Sequence, residues 1–399
     1  MKYRSGRKTL AAACGLLLLM PLSSCSKTET ASPSTVDVGL LTPLSGALEE
    51  VGVDAKDAFE GYIAANDNKL GGREVNISIR DEGDSAKTSL PSAEKLMNGD
   101  NVDVIVGAAS SANYIAVAPE TTKAEIPLLG YGGQPDLKDA DIDFEWLWQT
   151  SFSTSQLGAS IAPYLEKTVD GPVYAIAPDY EGGQAIMGGF VEPFKEVGGE
   201  LASGQTEPTW TPWPDTMDFS KYFQEAANSD AEAIFAYYAG APAVEFVKQY
   251  AKSPAKDIPL YGAFLTEGAV LEAQGKSAKD IQTVMNYAPD IDNAANRRFI
   301  SEWSEIAPDR SASLYSMVGW DAALVLDQAI SRIPANEEVT PAAINEAMGQ
   351  LGTINSSRGS WQFDEDLHIP IQKWYLRTVM NDGPALANVV TEDLSTIGG

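Results

Sequence analysis

The feature that most constrains this fold is an alternation that runs the length of the chain. Val36–Leu41 reads as a buried strand, and Ala55, Ala58, Phe59, Tyr62 and Ile63 then recur at helical spacing. After a break at Gly71-Gly72, Val75, Ile77 and Ile79 alternate as a half-buried strand. A helix ending at Leu96-Met97 is expected to begin near Pro91, since proline suits a first helical turn. Val102–Val106 and Pro127–Leu129 are further strands, and Pro172–Ala177 precedes a helix carrying Ile186, Phe190 and Phe194. Ala233–Tyr237, Ile258–Tyr261 and Ile281–Asn286 read as strands. Val244 to Tyr250, Phe299 to Trp303, Val318 to Ile330 and Pro341 to Leu351 read as helices. Strands alternating with helices predict parallel sheets covered on both faces. The units are too many for one sheet, so the expectation is two α/β lobes, which 399 residues accommodate.

The residue inventory removes most catalytic chemistry. There is one histidine, His368, and there are two cysteines, Cys14 and Cys25. No Ser-His-Asp or Cys-His pair and no Cys/His zinc cluster is expected, and neither a metal nor a cofactor. Gln274-Gly275-Lys276-Ser277 has the end of a phosphate-binding loop, but Val270 stands where the earlier glycine belongs. His368 reads as a surface turn residue. A formal charge of −28 argues against nucleic acid as a partner.

The N-terminus sets the compartment. Lys2, Arg4, Arg7 and Lys8 precede a 12-residue apolar stretch, Thr9–Met20, too short to span a bilayer, and then Leu22-Ser23-Ser24-Cys25. This pattern resembles a bacterial lipobox, which implies cleavage of residues 1–24 and a lipid on Cys25; residues 25–35 then form a flexible tether. Cleavage leaves 375 residues and a formal charge of −32, since four cations and no acids depart. It also leaves no disulfide, so stability rests on core burial.

Ligands of open α/β sheets bind beyond the carboxyl ends of strands. Four loops there stand out: Gly107–Ser111, Gly130–Gln134, Asp179–Gly183 and Gly262–Glu267. Taken with the motifs around them, they carry a family likeness. Leu44-Ser45-Gly46, Val51-Gly52, Asn66-Asp67, Gly71-Gly72 and Asp81 fall in the expected order. So do Val106-Gly107 with Ser110-Ser111, Ala116–Pro119 with Ile126-Pro127, Asp179-Tyr180, and Asp218-Phe219-Ser220. Gly319-Trp320-Asp321-Ala322 with Leu326, and Gly359–Asp364, complete the series. The chain resembles the type I periplasmic binding proteins, in the leucine/isoleucine/valine-binding branch that serves ABC importers. The resemblance implies two Rossmann-like lobes joined by three chain crossings, with residues 36–152 and 288–358 in the N-terminal lobe. The C-terminal lobe takes 153–287 and 359–392, and ligand is bound between the two.

The resemblance also points to site residues. Ser110 and Ser111 offer hydroxyls and backbone amides at a helix start, an anion seat, although N-capping alone would account for them. A backbone N–H near Tyr131 is expected to serve ligand. Gly133 lacks the hydroxyl common there, and Gly132-Gly133 reads equally as a turn with positive φ. Tyr180 would pack on ligand or serve as a buried structural tyrosine. Ser153 stands where amino-acid binders carry an aspartate. Glu267 is the remaining candidate acceptor for an ammonium group, and reads more simply as solvated. Trp210 and Trp213 read first as packing a proline-rich loop, with the cleft mouth as the alternative.

The expected function is an extracytoplasmic, lipid-anchored, monomeric substrate-binding protein, not an enzyme. It would hold a small amino acid of branched-chain type and deliver it to ABC permease subunits. The alternatives are an aromatic or other small carboxylate or amide as ligand, or a sensory role. The anchor gives the first prediction. Fatty-acid labelling should mark the wild-type protein, and Cys25→Ser should abolish both label and membrane retention; a labelled, membrane-bound serine variant would refute it.

Overall fold

A computed structural model describes residues 35–46, 48–134, 143–213, 215–383 and 385–398. The lipobox and Cys25 lie outside these. Residues 33–399 form one compact unit, built round two sheets between which the chain passes three times.

The first pass lays down β1 (Val36–Thr42), α1 (Glu49–Ala64), β2 (Lys69–Leu70), β3 (Arg73–Asp81), α2 (Ala86–Lys95) and β4 (Val104–Gly107). It continues with α3 (Ser111–Lys123), β5 (Leu128–Gly130), β6 (Gly133–Gln134) and β7 (Leu147–Gln149). All of these strands but β6, which pairs with the crossing segment at Phe152–Ser153, form a six-stranded sheet in the order β2-β3-β1-β4-β5-β7, parallel except for β2. Its central strands are buried on both faces, which is why β1 and β4 read as continuous apolar runs.

The chain then crosses through β8 (Phe152–Ser153) into α4 (Thr154–Thr168), β9 (Val173–Pro178), α5 (Glu181–Glu196), β10 (Thr209–Thr211) and α6 (Ser220–Asn228). β11 (Ala233–Tyr237), α7 (Gly240–Tyr250), β12 (Leu260–Ala263), α8 (Ala269–Gln274) and β13 (Gln282–Met285) follow. It returns as α9 (Ala294–Ile306), α10 (Leu314–Ile330) and α11 (Pro341–Gly349), with α10 packed on α1. It crosses a last time into β14 (Ile354–Ser356), β15 (Gly359–Phe363), β16 (Pro370–Asp382) and β17 (Ala385–Ile397). The second sheet has nine strands, ordered β10-β9-β11-β12-β13-β16-β15-β14, with β17 on β16.

Several expectations change. The second sheet is mixed: β10 to β13 are parallel, but β16 joins β13 antiparallel and β14, β15 and β17 follow suit. A hairpin needs no crossover helix, so the strand–helix rhythm stops where the hairpins begin. The expected boundary at residue 358 falls inside the β14–β15 hairpin. Helix α2 begins at Ala86, not near Pro91, which lies inside it; the carbonyl of Ser85 accepts from the amides of Thr88 and Ser89 and starts the helix five residues earlier. The long α4 had no expectation attached. His368 is no bare surface residue. Its ring stacks on Trp148 at 3.8 Å, with Nδ1 3.1 Å from the carbonyls of Phe144 and Leu147, and burial lowers its pKa.

The first two crossings and the sheet region that follows the third meet at one atom, the carbonyl oxygen of Ser151 in the first crossing. It accepts from Gln372 Nε2 on β16 (2.7 Å), from Asn286 Nδ2 in the second crossing (3.4 Å) and from Arg358 Nη1 in the turn between β14 and β15 (3.4 Å). Arg358 also donates to the carbonyl of Thr150 and lies 3.7 Å from Asp321 of α10, both side chains buried. Burial lowers the Arg358 pKa to about 10 and raises that of Asp321, so the two offset each other's desolvation. Asp321, one of the motif residues quoted above, thus serves the hinge. Removing one member of a buried pair strands the other charge, at about 3–5 kcal/mol. Arg358→Ala should therefore lower unfolding stability in urea by that much, and adding Asp321→Asn should recover much of it. A loss well under 1 kcal/mol for the single variant would show that the pair does not hold the hinge.

Candidate functional site

The site is built from loops at the carboxyl ends of both sheets. In the first sheet, β4 ends at Gly107 and Ser110 caps α3, its Oγ accepting from the amide of Asn113 at 3.4 Å. The amides just before the helix are not vacant. Ala109 N and Ser110 N donate to the two carboxylate oxygens of Glu82 at 2.8 and 3.0 Å, and Asn113 Nδ2 adds a third bond at 2.9 Å. Glu82 directly follows β3 and is completely buried. Desolvation pushes its pKa up to about 7, although the three donors pull the other way.

The next loop is stitched to this one. Ser111 Oγ donates to the carbonyl of Gly133 at 2.7 Å. Tyr131 is buried and its hydroxyl donates to Thr42 Oγ1 at 2.6 Å, at the end of β1. Gly132 and Gly133 do not have positive φ; close approach explains both. A Cβ on Gly132 would stand 2.1 Å from the carbonyl oxygen of Ala109, and one on Gly133 would meet the ring of Phe152 at 3.0 Å. Ser153 caps α4, with its amide donating to Gln156 Oε1 at 3.2 Å.

Aromatic rings supply the other wall. The hydroxyls of Tyr180, after β9, and Tyr237, ending β11, are hydrogen-bonded to each other. Trp213 stacks on Tyr180 with ring centres 4.8 Å apart, so it belongs to this wall and does more than pack its loop. The loop itself is partly strand, since β10 includes Trp210 and pairs with β9. Phe264, after β12, sits at φ 59°, a conformation costly for a side-chain-bearing residue. There its ring lies 5.8 Å from Tyr237 and 5.9 Å from Phe152 of the first crossing. Burial raises Tyr237 to about 12 and pushes Tyr180 well above the ordinary phenol value, so both are neutral at physiological pH.

Glu267 is not solvated. Its side chain is buried, with Oε1 accepting from Arg377 at 2.6 Å and Oε2 from the amide of Leu314, the first residue of α10, at 3.3 Å. Beside it, Ala269 N donates to Glu50 Oε1 of α1 at 3.0 Å. These two contacts tie the halves together along the edge of a cavity of about 710 Å³, whose lining includes Glu50, Asp54, Glu267, Arg310 and Arg377. Of the seven ligand-binding candidates, only Glu267 lines that cavity.

The sequence profile of the periplasmic binding proteins matches residues 35–384. The chain belongs to the periplasmic binding protein family. Among curated relatives, the Leu/Ile/Val-binding protein homolog 6 of Brucella melitensis is 27% identical over 359 residues, covering 88% of this chain and 89% of that one. Among solved structures, a solute-binding protein of an ABC transporter from R. palustris, in complex with benzoate, is 25% identical. It superposes with a TM-score of 0.81 over 92% of this chain and 98% of its own. A leucine-binding protein from Thermotoga maritima shares the fold at 19% identity, with a TM-score of 0.74 over 88% of this chain and 99% of its own. As a periplasmic binding protein, this chain is an extracytoplasmic substrate-binding protein.

The binding protein's structure thus brings Ser110, Ser111, Tyr131, Gly133 and Ser153 into neighbouring strand-end and crossing segments. Tyr180 stands on the aromatic wall, and Glu267 is set apart in an ion pair. Sequence reasoning missed Glu82, Phe152 and Tyr237, and chose the loop of Phe264 without singling out its ring. Glu82, Tyr237 and Phe264 each end or directly follow a strand, so the rule that selected the loops reaches them too.

Glu82 gives a signed pH prediction. A carboxyl whose folded pKa lies above its ordinary 4.5 binds more protons folded than unfolded between pH 4.5 and 7, so stability falls as pH rises through that window. The loss is about 3 kcal/mol at most. The wild type should lose stability relative to Glu82→Gln from pH 4.5 to 7.5, as read by unfolding at each pH. A constant difference between the two would mean that Glu82 titrates normally.

Proposed function

We propose that this protein is the lipid-anchored solute receptor of an ABC importer and that its ligand is a small aromatic carboxylate. The observation that carries the ligand class is the wall formed by Phe152, Tyr180, Trp213, Tyr237 and Phe264 beside the loops of Ser110 and Ser111. Aromatic faces suit a planar apolar ligand through offset or edge contacts, and the phenol hydroxyls offer neutral hydrogen bonds to a ring substituent. The carboxylate would be received by hydroxyls and amides at the start of α3.

A branched-chain amino acid is the second reading, favoured by the names of the curated relatives. It needs an acceptor for the ammonium group. Ser153 has no carboxylate, and both oxygens of Glu267 are engaged by Arg377 and the α10 amide. The likeness to the benzoate complex supports the aromatic reading.

In operation, the two halves would rotate about the crossings joined at Ser151 and close on ligand, and the closed form would dock on the permease. ATP hydrolysis would belong to other subunits. A thermal-shift screen tests the ligand class. Ligand at about 1,000 times its dissociation constant stabilises by about 4 kcal/mol. Benzoate and 4-hydroxybenzoate should raise the melting temperature, and leucine should not. Tyr180→Ala and Trp213→Ala should each weaken benzoate binding by about 3- to 10-fold, from lost ring contacts. Stabilisation by leucine but not by benzoate would overturn the aromatic assignment.

A further inference from the structure

The loop that would receive a ligand carboxylate already holds a carboxylate of the chain itself. Two backbone amides ahead of α3 and the Asn113 side chain are spent on Glu82. An anion arriving at Ser110 and Ser111 therefore comes close to a second carboxylate in a buried place. Two like charges in one low-dielectric site cannot both stay ionised cheaply. We propose that Glu82 makes ligand binding proton-linked, so that an anionic ligand is taken up at the start of α3 together with one proton held on Glu82. This inference rests on the carboxylate reading given above, but not on the ligand being aromatic.

The proton comes from solvent, and no covalent bond of the ligand changes. Oε1 of Glu82 accepts from both Ser110 N and Asn113 Nδ2, whereas Oε2 accepts only from Ala109 N, so Oε2 is the atom that takes the proton. The groups packed round Glu82 do not substitute for that proton. From α3 they are the neutral Ser110 and Asn113, and from α2 the hydroxyl of Ser89, which donates to Asn113 Oδ1. From the end of β1 there is Thr42, whose carbonyl accepts the Glu82 amide, and from the loop after β5 there is Tyr131, a neutral phenol. Asp81, adjoining in sequence, carries the same charge as Glu82 and raises its pKa further. Because burial already places the free carboxyl near the middle of the physiological range, a nearby anion is enough to complete its protonation.

Isothermal titration calorimetry of the protein with benzoate, and separately with leucine, tests this. Titrations at pH 7.5 in phosphate and in Tris buffer, which differ in protonation enthalpy, give the number of protons exchanged. The expected result is uptake of more than half a proton per ligand bound. The dissociation constant should also rise toward about tenfold per pH unit above pH 7.5, the slope for one linked proton. Glu82→Gln should remove the uptake and flatten the pH dependence between pH 6.5 and 8.5. If the glutamine variant fails to fold, the wild-type buffer and pH series decides alone. Tight benzoate binding with no proton uptake overturns this inference and leaves the functional reading intact. Proton-linked binding of leucine without benzoate binding does the reverse. Binding of neither overturns both.

Discussion

The carbonyl oxygen of Ser151 is the point on which the architecture turns. One apolar core runs through both sheets, and function requires that the two keep a defined relation. Three chain crossings supply the covalent part of that relation. Asn286, Arg358 and Gln372 supply the rest by converging on one acceptor. A carbonyl has two lone pairs, so three donors share it unequally, the Gln372 bond being the short one. The Arg358–Asp321 pair anchors this junction to α10, and through α10 to α1 and the first sheet.

The strand ends of the two sheets differ in chemistry. The first sheet contributes backbone amides and small hydroxyls, held close by Gly132 against Ala109 and by the Ser111–Gly133 bond. The second contributes rings. The protein's large negative charge does not forbid an anionic ligand there. Mean fields are screened within about 8 Å at physiological salt, whereas charge-assisted hydrogen bonds act at contact. The carboxylate that matters is the near one, Glu82, and its burial makes its own charge negotiable.

Most of the fold was legible because parallel strands buried on both faces announce themselves as apolar runs, as at Val104–Gly107 and Val173–Pro178. What was not legible followed other physics. The β14–β17 region is antiparallel, so its strands alternate or are short and no helix separates them. Pro91 was misplaced because a proline inside a helix and one at its start look alike in sequence. The site was half legible. Loops at strand ends could be chosen by position, and Tyr180 and Ser110 came with them. Partnership could not be read. Nothing in the sequence says that Glu267 meets Arg377, 110 residues away, or that Glu82 takes the amides ahead of α3. Trp213 was ambiguous because only the fold decides which ring a loop tryptophan finds.

In the proposed binding mode, ligand is held between the α3 amides and the aromatic wall, not in the acidic cavity beside Glu267. A crystal structure of the protein grown with benzoate tests it most directly. The carboxylate is expected within hydrogen-bond distance of Ser110 or Ser111, with the ring against Tyr180, Tyr237 or Phe264. Density for the ligand in the cavity lined by Glu50, Asp54 and Arg310, with none beside Ser110 and Tyr180, would contradict it.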